Sequence, residues 1–116
     1  MASDDWDDRK FNKWQKLREN FRVAKKEKDY NKLISIGNSI LELDTNAKFI
    51  GIFVPLFQKE MADAYLNLNQ NDKAIEYYQA ALTGYKADRE KRKTTAPDSW
   101  VKDISRLEKK LGKLLS

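Results

Sequence analysis

The sequence predicts an all-α fold of about five helices paired as antiparallel hairpins, and three observations carry that prediction. Apolar residues recur at intervals of three and four in five separate stretches, which places each set on one face of a helix. No stretch alternates apolar and polar residues as a half-buried strand does. Only 4 Gly and 2 Pro punctuate the 116 residues, so helices meet few breakers. A chain of this length buries about two thirds of its unfolded surface, enough for one small domain, 1–116.

The opening helix has Leu17, Phe21 and Ala24 on its apolar face. Trp14, Phe11 and Trp6 extend that face backwards, toward a start at Ser3-Asp4-Asp5, where acidic side chains offset the positive end of the helix dipole. Lys28-Asp29-Tyr30 reads as a turn, and Leu33, Gly37 and Ile40 make the facing stripe of a second helix that exits at Leu43-Asp44-Thr45-Asn46.

The clearest pattern lies at 55–88. Phe57, Met61, Ala62 and Tyr65 define one helix face, and Ala74, Tyr78 and Ala81 define the next. Between them, Asn67 to Asp72 is rich in Asn and Asp, which end helices by bonding to their own backbone and cap the helix that follows. The small residues Ala62, Ala74 and Ala81 let the two axes approach to roughly 8–10 Å.

This pairing resembles the tetratricopeptide repeat, whose pattern is a large apolar residue, a small one, a Tyr, a turn, then Ala, an aromatic and Ala. Asn69 stands where that family usually has a turn Gly, and Asn tolerates the left-handed backbone required there. Gln58 replaces a usual large apolar residue. Residues 14–47 form a weaker copy, with Thr45 where a Pro is common. The copies start 41 positions apart, against a family period of about 34. The excess is close to two helical turns, so residues 48–54 read as an insertion or a lengthened third helix beginning near Ala47. Gly51 and Pro55 interrupt that stretch, predicting either a kink or a helix that starts only at Pro55.

A fifth helix, 98–115, follows Ala96-Pro97-Asp98 with Trp100, Ile104, Leu107, Leu111 and Leu114 at spacings of four and three. It is similar to the lone helix that closes many tetratricopeptide arrays. The resemblance therefore implies two repeats and a cap, stacked as a short right-handed superhelix.

Charge is uneven. Residues 9–32 hold ten Lys and Arg against three Asp and Glu, in a chain of net charge +5. In the family, the first helix of each repeat lines a concave surface that holds extended peptides. Carried over, the resemblance implies a lining of Gln15, Arg18, Arg22, Lys25 and Lys26, then Lys59, Asp63, Leu66 and Asn67, with Lys102 and Arg106 from the closing helix. That groove is expected to be basic and to bind an acidic peptide or protein segment. Arg18 and Arg22, four apart, lie on one side of their helix, where each can hold a carboxylate through two parallel hydrogen bonds. Arg22 and Glu60 occupy positions where the members that grip chaperone C-termini have Asn, so that ligand is not implied.

Two other readings use different features. Nucleic acid is the rival partner, on the strength of the basic 9–32 segment and Lys91-Arg92-Lys93, although no recognised nucleic-acid module is present. The apolar run 49–57, FIGIFVPLF, is either core beneath the opening helix or a surface for a homodimer or a larger assembly.

Catalysis is not expected. The chain has no His, the usual general base near neutral pH, and no Gly-rich phosphate loop or nucleophile elbow. No cofactor and no metal site are expected, since Cys is absent too. No apolar run of 18 residues or charged-then-apolar leader occurs, so neither a membrane span nor a secretory signal is expected, and the reading is of a cytoplasmic adaptor or scaffold.

Overall fold

The computed structural model describes residues 7–116 and is all-helical, with no strand among the described residues. It contains five α-helices: α1 (Asp8–Glu27), α2 (Tyr30–Asn46), α3 (Val54–Asn67), α4 (Asn71–Lys91) and α5 (Val101–Leu115). Between Phe53 and Val54 the chain divides into two compact units. In the first, α1 pairs with α2; in the second, α3 pairs with α4 and α5 packs on α4.

Asp7 caps α1, its carboxylate accepting from the Arg9 backbone N–H at 2.9 Å. The start expected at Ser3-Asp4-Asp5, and Trp6 with it, lies outside the described residues. Phe21 and Ala24 are buried against α2, which contributes Leu33, Ile34, Gly37, Ile40 and Leu43 to the core.

The two hairpins close with the same chemistry. Lys28 adopts a left-handed φ of 59°, with the Asp29 N–H bonded to the Ala24 carbonyl and the Lys28 N–H to that of Lys25. Asn69 adopts φ 61°, with the Gln70 N–H on the Tyr65 carbonyl and the Asn69 N–H on that of Leu66. Both are Schellman turns, which satisfy the carbonyls a helix end leaves unpaired. The left-handed residues are 41 positions apart, the same offset as the two sequence copies. Asp29 then caps α2 through the Lys32 N–H at 3.2 Å, whereas Gln70 gives α4 no side-chain cap.

The segment after α2 takes the second of the two forms expected for it. A single 3-10 turn, Lys48–Ile50, packs against α2 and ends at Gly51, whose φ of 71° suits glycine. The chain stays non-helical until Val54, and Pro55 sits in the first turn of α3, where its missing N–H costs no helical bond. No α-helix begins at Ala47, because the left-handed Gly51 cannot lie inside one.

In the second unit Met61, Ala62, Ala74, Tyr78 and Ala81 are all fully buried at the α3–α4 crossing. Burying each of the larger side chains contributes roughly 1.5–3 kcal/mol. Tyr65 remains half-buried and stacks on Tyr77, ring centroids 5.3 Å apart. α4 runs on beyond α3, so its Tyr85 reaches the α5 layer of Ile104, Leu107 and Leu111.

One residue departs from its expected role. Trp100 is not the first apolar position of α5; it precedes the helix with a left-handed φ of 64°. From there its ring meets Tyr85 edge-on at 5.1 Å and its indole N–H bonds Asp88 at 2.7 Å. The helix consequently begins at Val101 rather than at residue 98.

Candidate functional site

The second unit contains a cleft of about 200 Å3 lined by Lys59 and Asp63 of α3, Tyr78 of α4, and Asp103, Arg106, Leu107 and Lys110 of α5. Lys59 and Asp63 are one turn apart on α3, and Asp103, Arg106 and Lys110 repeat at three and four on α5, so helical period alone aligns each row along the opening. Tyr78 forms the floor.

The polar groups in this cleft are largely committed to one another. The Tyr78 hydroxyl donates to the Asp63 carboxylate. Lys110 lies 3.4 Å from the same carboxylate and 5.4 Å from the Tyr78 ring centroid, so its ammonium is held by charge and by the aromatic face together. Burial pushes the Tyr78 hydroxyl well above the ordinary tyrosine range, and its bond to Asp63 reinforces that shift. Tyr78 therefore stays a neutral donor. Lys59 pairs with the buried Glu60 at 3.3 Å. Arg106 differs: it has no carboxylate partner among the described residues.

Of the residues expected to hold a partner, the cleft brings together Lys59, Asp63 and Arg106. Asn67 stands one turn beyond Asp63 and spends its amide on the Asp63 carbonyl at 2.9 Å. Lys102 is exposed on α5 and does not line the cleft. Tyr78, Asp103 and Lys110 are additions that the sequence reading missed. Lys110 follows Arg106 by four and Asp103 precedes it by three, which is the signal that could have found them.

The other expected residues lie on α1 of the first unit. Arg18 is held over the Trp14 ring, 5.6 Å from its centroid, and donates to Gln15. Arg22 already carries a two-point contact with a carboxylate, that of Glu19, through Nε at 3.3 Å and through Nη2. That hydrogen bond, then the attraction between the charges, raises the Arg22 guanidinium and lowers the Glu19 carboxyl from their ordinary values. Both side chains are more than half exposed, so the pair is a weak one that another carboxylate can replace. Lys25 and Lys26 occupy the last turn of α1.

Within the run 49–57, Ile52 and Phe57 are buried, while Leu56 is 44% exposed. Among the described residues no group of three or more acidic, His or Cys side chains is placed to hold a metal ion, and no helix is long and apolar enough to cross a membrane.

No family model, no curated protein and no solved structure matches this chain.

Proposed function

We propose that this chain is a non-enzymatic, tetratricopeptide-like interaction module that holds an acidic peptide or protein segment against cationic helix faces. The observation that carries this reading is Arg106. It sits on the rim of the α3–α5 cleft without a carboxylate partner among the described residues, whereas its neighbours Lys59 and Lys110 are each paired. A planar guanidinium with its fork of donors open is suited to two-point recognition of a carboxylate. The neutral Tyr78 hydroxyl and the apolar side of Leu107 limit water at the base of the cleft, where a charge pair gains strength.

Arg18 and Arg22 support the same reading from the first unit. Their guanidiniums are presented on one side of α1, and Arg22 shows in its grip on Glu19 the geometry a partner carboxylate would meet. The repeat resemblance assigns the first helix of each unit's hairpin, α1 and α3, to peptide binding. An adaptor or scaffold role, a cytoplasmic setting and the absence of any enzymatic activity belong to this proposal.

Fluorescence anisotropy with a labelled glutamate-rich peptide tests it. Wild type should bind, and Arg106→Gln should weaken binding by roughly tenfold to a hundredfold, the loss of about 1.5–3 kcal/mol expected for a charged hydrogen-bond pair. Equal affinity in the two proteins would remove Arg106 from the site and the main support for the reading.

A further inference from the structure

We infer that α1 carries a second interaction surface, distinct from the Arg18–Arg22 side, that binds the phosphate backbone of duplex nucleic acid. Its cations are Arg9, Lys13 and Lys16. At roughly 100° per residue these three fall within one narrow sector of the helix, and Asn12 and Asn20 flank them with amide donors. All five side chains are exposed. Lys13 and Arg22 are nine residues apart, about half a turn in projection, so the two cationic sides face away from each other.

Charge pairing distinguishes Lys13 and Lys16 from part of the chain's other cations. Arg22, Lys59, Lys86, Arg92, Lys93 and Lys110 each pair with a carboxylate. Lys13 and Lys16 have no such partner among the described residues. Glu19, three residues after Lys16, is engaged by Arg22. Arg9 touches only the cap Asp7 among those residues, at 3.5 Å, and its side chain is 93% exposed. Exposed helix-side cations at successive turns, of which Lys13 and Lys16 have no carboxylate partner among the described residues, span about 10 Å along the axis and complement a regular array of phosphates.

Two features favour a duplex over other anions. The sector from Arg9 to Asn20 presents no aromatic ring, and single strands are held largely by stacking on such rings. Phe21 and Ala24, on the apolar side of α1, are buried against α2, so the helix has no free apolar face there to insert into a bilayer.

The test uses the full chain, a labelled 20-base-pair DNA duplex and anisotropy at about 50 to 200 mM KCl. Three phosphate contacts predict a slope of log K against log salt of about −2.7, a fall of roughly 40-fold across that range. Arg9→Gln, Lys13→Gln and Lys16→Gln should each flatten the slope by about 0.9, and together abolish binding. Arg18→Gln with Arg22→Gln should leave the slope unchanged. Circular dichroism should show unaltered melting for all of these exposed-site variants, and single variants suffice if the triple one is unstable. Absence of duplex binding at 50 mM salt would overturn the inference. Equal flattening by both sets of substitutions would do the same, as would tighter, Lys13- and Lys16-dependent capture by phosphatidylserine vesicles. The glutamate-rich peptide should bind the triple variant as wild type does, so this surface and the acidic-segment reading fail separately.

Discussion

Gly84 lies so close to Pro55 that a Cβ built on Gly84 would stand 2.3 Å from the proline Cγ. The first turn of α3 is thereby seated directly on the backbone of α4, at the end of the hairpin remote from its Asn69 turn. Helix propensity alone favours Ala over Gly by about 1 kcal/mol, so Gly84 is retained at a cost that close packing offsets.

Gly84→Ala should consequently destabilise the protein, by about 1–3 kcal/mol, against the direction of propensity. Pro55→Ala removes the opposing Cγ, and the double variant should recover most of the loss. Urea denaturation of the four proteins in the cycle measures that coupling. Additive losses would show that the contact does not govern the cost.

Asp88 joins two elements by accepting from both the Trp100 indole N–H and Arg92 Nε, each at 2.7 Å. The indole bond, and next the Arg92 contact, hold the Asp88 carboxyl below its ordinary range. Asp88→Ala should cost about 1–2 kcal/mol near neutral pH, since it leaves the indole N–H without its acceptor. A depressed carboxyl stabilises the fold above its unfolded value of 3.8 and loses that contribution as pH falls through the folded value. The gap between variant and wild type should therefore narrow below about pH 4. Thermal melts at pH 7 and pH 3 compare the two; a constant gap would contradict this role for the ionised carboxylate.

Tyr85 gives the opposite limb of the pH profile. Burial, and after it the charges of Asp103 and Glu60, push its hydroxyl up to about 12. The folded state then holds this proton where the unfolded chain, with its ordinary value of 10, releases it. Stability from this group is complete below pH 10 and is lost as pH rises toward about 12. Melting temperature should fall over that interval, and Tyr85→Phe should flatten the fall. An identical alkaline profile in the variant would contradict the assignment.

The sequence made the helices legible because period and turn chemistry are local. Phe57, Met61, Ala62, Ala74, Tyr78 and Ala81 occupy the inner faces that their spacing predicts, and Asn69 takes the left-handed turn its residue type permits. The 41-residue offset also relates buried positions. Phe21 and Gly37 of the first hairpin correspond, 41 positions on, to Ala62 and Tyr78 of the second, and all four are buried with large and small exchanged.

What was not legible depends on contacts across the fold. Trp100 continues the heptad-like spacing of α5, but its indole finds a better acceptor in Asp88 than a helical backbone would allow, and the chain turns left-handed to reach it. Nothing near Gly84 announces Pro55, which is 29 residues away. Arg106 and Lys110 look alike as cations on α5, and only packing shows that Asp63 and Tyr78 occupy Lys110 while Arg106 has no carboxylate partner among the described residues.

The most direct test of the acidic-segment account is a titration of the labelled glutamate-rich peptide against wild type and the Arg18→Glu plus Arg22→Glu variant, at low and at high salt. The account predicts saturable binding that weakens as salt rises, because screening shortens the reach of exposed charges to about 10 Å at 0.1 M, and loss of capture in the variant with unchanged helix content. Undiminished capture by the charge-reversed protein would contradict it.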